Sequence, residues 1–424
     1  MTTCRDRAEA AEIRGDAQQR GWLGGMPVGI KDLQGVAGVR TTFGNETLSD
    51  FVPTESDPIV ERIEGRGGVV IGKTNTPEMG AGANTFNAVF GMTRNPWDTR
   101  KNAGGSSGGA AASLAVGEAW LSQGSDLAGS LRTPAAYCGV VGLRPSPGLV
   151  PGGAGANGFG TEGVMGPMAR NVTDCALFLD TMAGQMDRDP LTFHAPAEGY
   201  LDAVGRADGK VRIAYSRDLN GFSVTSDAMD AVLRAALAKV EAGGAVVDEG
   251  CPDLPDMDKT YRTLRAMLWA AGPARLPEAV TSKFKRTLSE NIEVGLNLTA
   301  SEIYDAQIGR TKLYRNTVAF LKDFDVLAFP VVGLFAGPVE EEYPTEIDGK
   351  PLGDYLEWLK YSFLSPTTTL PSISVPVGFN DDGMPVGIQL LAGPRGEARL
   401  LQVARAFEVA CGGPLGPIDP VVRH

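Results

Sequence analysis

Two stretches of this chain repeat one order: an amphipathic helix pattern, a glycine stop and a short apolar run. SDPIVERIEGRGGVVIGKTN starts as a capped helix at Ser56, with Glu61, Arg62 and Glu64 outward. It turns at 65–68 and continues as the strand VVIGKT. DAMDAVLRAALAKVEAGGAVVDEG follows the same order. Further strands are expected in MPVGIKDL (26–33), VRIAYS (211–216), FDVLAFP (324–330), SISVPVGF (372–379) and PVGIQLL (385–391). A charged helix is expected over 1–20, and an amphipathic one over EARLLQVARAFEVA. Strands alternating with helices imply an α/β fold, a mixed sheet covered on both faces. No repeat or low-complexity linker breaks the 424 residues, so a single domain over 1–424 is expected.

Composition removes several function classes. The net charge is −12 and no Lys/Arg run occurs, so nucleic acid is not an expected partner. The N-terminus is polar and carries no signal-peptide core. The longest apolar stretch, 326–339, is broken by Pro330 and Pro338 and is too short to span a bilayer. A cytoplasmic protein without membrane contact is the expectation. The five cysteines are scattered, without CxxC spacing, and read as reduced and mostly buried; Cys138 reads as core. The two histidines, His194 and His424, leave no two-histidine zinc site and one internal candidate for a histidine base. Any nucleophile here is expected to use a base other than histidine.

GGVVIGKT (67–74) satisfies the phosphate-loop pattern GxxxxGK[ST]. The mechanism needs strand, loop, then helix. Here a polar helix precedes, the middle residues make a strand, and Pro77 follows. No nucleotide role is expected.

The run NAGGSSGGAAAS (102–113) admits three readings: flexible linker, phosphate cradle or catalytic segment. An Ala-rich helix should begin near Ser107, AWLSQGSD should be a strand, and LAGSLRTPAAYCG a turn into a second short helix. A helix of about 12 residues runs ~18 Å out, and a strand of about 6 returns ~20 Å. Ser130 then lies beside Ser106 and Ser107, near unpaired helix N–H groups. An acyl-transfer oxyanion fits on backbone donors from Leu127, Ala128, Gly129 and Ser130. Lys31, after an apolar strand, supplies a base if burial keeps its amine neutral. The plainer readings stand beside this: a surface lysine and capping serines.

GMPVGIKDL, AGGSSGGAAA, GSDLAGSLRTPAAYCGVVGLRPS and GPMARNVTDCA together resemble the amidase signature family. NTPEMGAGANTFNAVFGMTRNPWD and PSISVPVGFNDDGMPVGIQLLAGPRGEARLL extend the likeness over about 20–412. The resemblance implies a central mixed β-sheet surrounded by helices, and a Ser-cisSer-Lys triad without metal or cofactor. By position, Ser130 matches the nucleophile, Ser106 the relay serine after a cis Gly105–Ser106 bond, and Lys31 the base. Asp126 and Arg132 match family positions and are expected to pair structurally around the nucleophile turn. Ser107 is expected either to cap a helix or to join the network. The signature core then spans about 26–180, a more variable substrate side about 181–370, and C-terminal strands and helix 371–412. Substrate is expected against 150–164, 78–86 and parts of 260–370, with Met79, Gly80, Ala81 and Met165 in the wall. Two features depart from the family pattern: Ala128 stands where Gly is commoner, and only 25 residues precede MPVGIKDL.

The expected activity is hydrolysis of a small or aryl/alkyl amide by water through a Ser130 acyl-enzyme, with ester or carbamate (urethane) bonds as further substrates. The alternative is the A subunit of a glutamyl-tRNA(Gln)-type amidotransferase. That subunit generally carries an Arg-Arg pair that SENIEVGLNLTASEIYDAQIGR lacks. A monomer or homodimer is expected.

Overall fold

The computed structural model describes residues 17–152 and 157–423. The helix expected over 1–20 falls outside them except for 17–20, which form a turn. Ten strands build one mixed sheet: β1 (Pro27–Lys31), β2 (Val69–Thr74), β3 (Leu121–Asp126), β4 (Val141–Arg144), β5 (Val164–Ala169), β6 (Arg212–Tyr215), β7 (Val246–Glu249), β8 (Val326–Pro330), β9 (Ser372–Phe379) and β10 (Pro385–Ala392). Their spatial order is β7-β6-β8-β10-β9-β4-β5-β3-β1-β2. The outer pairs β1–β2, β1–β3, β6–β7 and β6–β8 are parallel, while β3, β5, β4, β9, β10 and β8 pair antiparallel in that order. β10 is buried along its whole length, as a central strand covered on both faces must be.

The helices that matter for the site are α1 (Pro58–Gly65), α2 (Gly108–Ala115), α3 (Arg132–Cys138), α4 (Val172–Met182), α5 (Asp227–Ala242), α6 (Met257–Ala271), α7 (Arg286–Leu296), α8 (Ala300–Phe320), α9 (Leu364–Thr368) and α10 (Glu397–Ala410). The N-cap position of α1 is Asp57 rather than Ser56 and makes no side-chain cap bond: Asp57 accepts the Gly35 N–H at 3.1 Å, and the Ser56 hydroxyl accepts the Ala37 N–H at 3.0 Å. Helix α2 has 8 residues, shorter than expected. It still closes the loop to Ser130, because β3 returns directly beneath it.

In GGVVIGKT, Gly67 and Gly68 belong to the turn after α1 and 69–74 form the strand β2, so the strand–loop–helix order of a phosphate loop is not built. The glycines of 102–113 serve close packing. Gly104 sits at φ +70, and a Cβ on Gly109 would collide with the Asn75 backbone nitrogen. This run is a packed corner of the core. Among the described residues no helix is long and apolar enough to cross a membrane.

Candidate active site

Lys31 ends β1 with no exposed surface. Its Nζ lies 2.6 Å from Ser106 Oγ, 2.9 Å from Ser107 Oγ and 3.1 Å from Ser125 Oγ. No carboxylate of the described residues pairs with it. Burial lowers the lysine from 10.5 to about 7, against a smaller opposing pull from Asp126. Three hydroxyl neighbours suit both forms of the amine. An ammonium donates to all three; a neutral amine donates to two and accepts from the third.

The Gly105–Ser106 peptide is cis. Ser107 caps α2 by position but makes no side-chain cap bond, because its hydroxyl faces Lys31. Its backbone N–H donates to the Ser130 carbonyl at 3.2 Å, tying the relay segment to the turn after β3. Ser130 is 7% exposed in that turn. The structure thus brings Lys31, Ser106, Ser107 and Ser130 into one corner. Ser125 joins them; it lies in the GSDLAGSLRTP motif at the end of a strand, but no role is expected for it from the sequence.

Asp126 organises the turn. Its carboxylate accepts Arg132 Nε at 3.0 Å, Arg132 Nη2 at 2.9 Å, and the N–H groups of Gly129 and Leu131 at 3.0 and 3.1 Å. Arg144 stands 3.5 Å from the same carboxylate and also donates to the Asp126 carbonyl. All three side chains are fully buried. Burial alone raises the Asp126 carboxyl, but Arg132 and then Arg144 outweigh it and hold the group far below the usual carboxylate range. The expected Asp126–Arg132 pair is therefore a triad with Arg144, which arrives from β4 and which no spacing in the sequence marks.

One expectation needs correction. The Gly129 N–H is spent on Asp126, so it is not an oxyanion donor here. The N–H groups of Leu127, Ala128 and Ser130 have no acceptor among the described residues. Gly129 takes the left-handed backbone, φ +88, where a Cβ meets Ser362 Cβ at 2.9 Å. Ala128 is not among the left-handed residues, which explains why alanine is tolerated there.

The four expected pocket residues fall on two walls. Met79 and Ala81 pack with Leu127, Trp269, Val280, Phe284 and Leu288, an apolar wall supplied mainly by α6, α7 and the segment between them. Gly80 turns at φ +74, and its Cβ position is 3.7 Å from Ser106 Oγ. Met165 stands opposite Ser125 in the β3–β5 register and lines a cavity of about 450 Å³ with Leu33, Gln34 and Phe43. The Tyr261 hydroxyl donates to the Leu127 carbonyl at 3.1 Å, while its ring stacks on Phe363 at 3.8 Å. Sequence reasoning missed Tyr261, which no motif marks.

The remaining candidates lie elsewhere. His194 is exposed in a loop, and Cys138 is buried with its thiol pushed up. His424 and Cys4 lie outside the described residues, as does part of 150–164. No group of three His, Cys, Asp or Glu suited to a metal occurs among the described residues.

Comparison with known proteins gives the family. The family model described as "Amidase" matches residues 1–401. An acylamidase of Rhodococcus erythropolis is 36% identical over 413 residues, covering 95% of this chain and 85% of the relative. The A subunit of the glutamyl-tRNA(Gln) amidotransferase of Anaeromyxobacter dehalogenans is 34% identical over 450 residues, covering 99% and 90%. The crystal structure of a bacterial aryl acylamidase of the amidase signature family superposes with a TM-score of 0.83 at 27% identity, covering 91% of this chain and 82% of that one.

Proposed function

This chain belongs to the amidase signature family, hydrolases of C–N bonds other than peptide bonds, and from that premise we propose that Ser130 is its acylating nucleophile. Lys31, neutral, accepts the Ser106 proton as Ser106 accepts the Ser130 proton. Ser130 Oγ then bonds to the amide carbon. The oxyanion forms against the N–H groups of Leu127, Ala128 and Ser130; one such donor is worth roughly 10²–10³ in rate. As the C–N bond breaks, the relay returns its proton to the amine. Water, deprotonated by the same relay, attacks the acyl-enzyme, and the acid leaves with Ser130 restored. Asp126, Arg132 and Arg144 keep the turn in place.

The observation that carries this reading is the buried Lys31 amine among hydroxyls, with no carboxylate of the described residues pairing with it. A small alkyl or aryl amide is the substrate class, since the walls around Met79 and Met165 are largely apolar. Esters and carbamates pass through the same acyl-enzyme and are further substrates. The relative of the amidotransferase type makes the second reading a concrete alternative.

A hydrolysis panel of aryl amides, primary amides, esters and carbamates tests the proposal beside Ser130→Ala. The isolated wild-type chain is expected to hydrolyse aryl amides, and Ser130→Ala to lose at least ~10³-fold. Residual wild-type-like turnover in the variant overturns the assignment. Glutaminase activity that appears only with a partner protein favours the amidotransferase reading instead. Because Lys31 acts neutral and its pKa is about 7, kcat/KM should rise from pH 6 and level above pH 8; a flat or falling profile from pH 6 to 9 counts against the base.

A further inference from the structure

The segment just before β5 carries a charge pair with no role in the mechanism above. Glu162 is 4% exposed. Arg310, reaching over from α8, donates through Nη1 to Glu162 Oε1 at 2.9 Å and through Nη2 to Thr161 Oγ1 at 2.9 Å. Its Nε donates to the Thr367 carbonyl in α9 at 3.3 Å. The second Glu162 oxygen accepts the Thr161 N–H at 3.1 Å.

Both ends of this clamp flank the Ser130 turn. The Thr161 carbonyl lies 3.5 Å from Arg144 Nη2, on the same guanidinium that faces Asp126. Val164, two residues past Glu162, pairs with Asp126, the last residue before the turn. On the other side, the chain leading into α9 passes Ser362, which packs on Gly129 and whose carbonyl accepts Arg132 Nη2 at 3.3 Å. A guanidinium bridging these two segments lies beside the Ser130 turn. Unpaired, it would attract an anion. With Glu162 it is neutralised, and the carboxylate adds repulsion toward a second anion.

We propose that Glu162 is a specificity-determining residue: as the internal counter-ion of Arg310 it keeps the wall beside the Ser130 turn neutral and selects uncharged amides over carboxylate-bearing ones. This rests on the amide-hydrolase reading. Glu162→Gln keeps the size and an acceptor for Arg310 but leaves the cation uncompensated.

Two matched substrate pairs test it. Butyranilide and succinanilic acid differ by a carboxylate on the acyl side; acetanilide and 4-acetamidobenzoate differ by one on the amine side. The wild type should favour the neutral member in kcat/KM at least tenfold in one pair. Glu162→Gln should shrink that ratio at least tenfold, mainly through KM, and the pair that moves tells which side of the substrate meets the clamp. In Glu162→Gln/Arg310→Gln the gain should disappear. Dissociation constants of the same ligands for Ser130→Ala protein, with and without Glu162→Gln, read the wall without turnover. Loss of hydrolysis by the wild type therefore counts against the function, while the binding ratio still decides this proposal. A wild type that prefers the carboxylate members overturns it, as does a Glu162→Gln that weakens both members of each pair equally. If Glu162→Gln does not fold, Arg310→Gln decides: it leaves the Glu162 carboxylate uncompensated, so a ratio moved at least threefold further toward the neutral member supports the proposal, and an unchanged ratio overturns it.

Discussion

Lys31 and Lys73 sit on neighbouring parallel strands, where Lys73 pairs in register with Ile30 and Lys31 with Thr74. Both are buried, and burial lowers both, to about 7 and about 8. Their surroundings differ. Lys73 Nζ lies 3.2 Å from the Asp32 carboxylate, donates to the Gln34 carbonyl at 2.5 Å and to Thr41 Oγ1 at 2.8 Å. Asp32 in turn accepts the Thr42 hydroxyl and N–H. Lys73 is thus a compensated charge that ties down the loop after β1. Lys31, among three hydroxyls, pairs with no carboxylate of the described residues. The sheet buries both amines, and the groups around each decide whether it builds structure or moves protons.

The comparison breaks most sharply at Lys31. Lys31→Met should lower kcat/KM by ~10³–10⁴-fold, the range of a lost general base, without unfolding the protein. Its Tm should rise instead. The folded-state pKa of Lys31 is depressed, so charging it costs stability; the cost is absent above the unfolded value of about 10.4, grows as pH falls, and is complete below about 7. Thermal scans at pH 6 and pH 10 check the sign, with the larger gain expected at pH 6.

Next in size is Asp126→Asn, which leaves Arg132 and Arg144 without their shared carboxylate. Urea unfolding should show a loss of ~3–5 kcal/mol, as for a broken buried pair. Lys73→Met should behave oppositely to Lys31→Met. It strands the Asp32 carboxylate, so roughly 3 kcal/mol of stability should go while activity measured on the folded fraction falls about tenfold or less. Equal activity losses in the two lysine variants would erase the distinction. Ser125→Ala is the smallest change. It removes one hydroxyl from Lys31 and should cost ~1 kcal/mol, read as a fewfold drop in kcat/KM and a small shift of the pH limb.

Much of this was legible in the chain. Periodicity placed β9, β10, α5 and α10 nearly to the residue, since each carries a clear strand or helix repeat. The helix and strand after the glycine–serine run bring the Ser130 carbonyl onto the Ser107 N–H, although the helix is shorter than its composition suggests. The Ser56 cap failed because its hydroxyl found a partner outside the helix. The Gly129 donor failed because a carboxylate three residues earlier reaches the same N–H first. Arg144, Tyr261, Ser125 and the Glu162–Arg310 clamp left no readable spacing, because each works through a contact with a distant segment; Arg310 and Glu162 are 148 residues apart.

By itself, the sequence determined the alternation of elements, the family motifs and the residue types available for catalysis, with one internal histidine and no histidine pair. Those follow from local pattern and composition, which need no partner segment. The tertiary structure alone decided that Lys31 meets hydroxyls 75, 76 and 94 residues away while Lys73 meets a carboxylate. Proton affinity depends on burial and on what stands within about 4 Å, and both are properties of the assembled sheet.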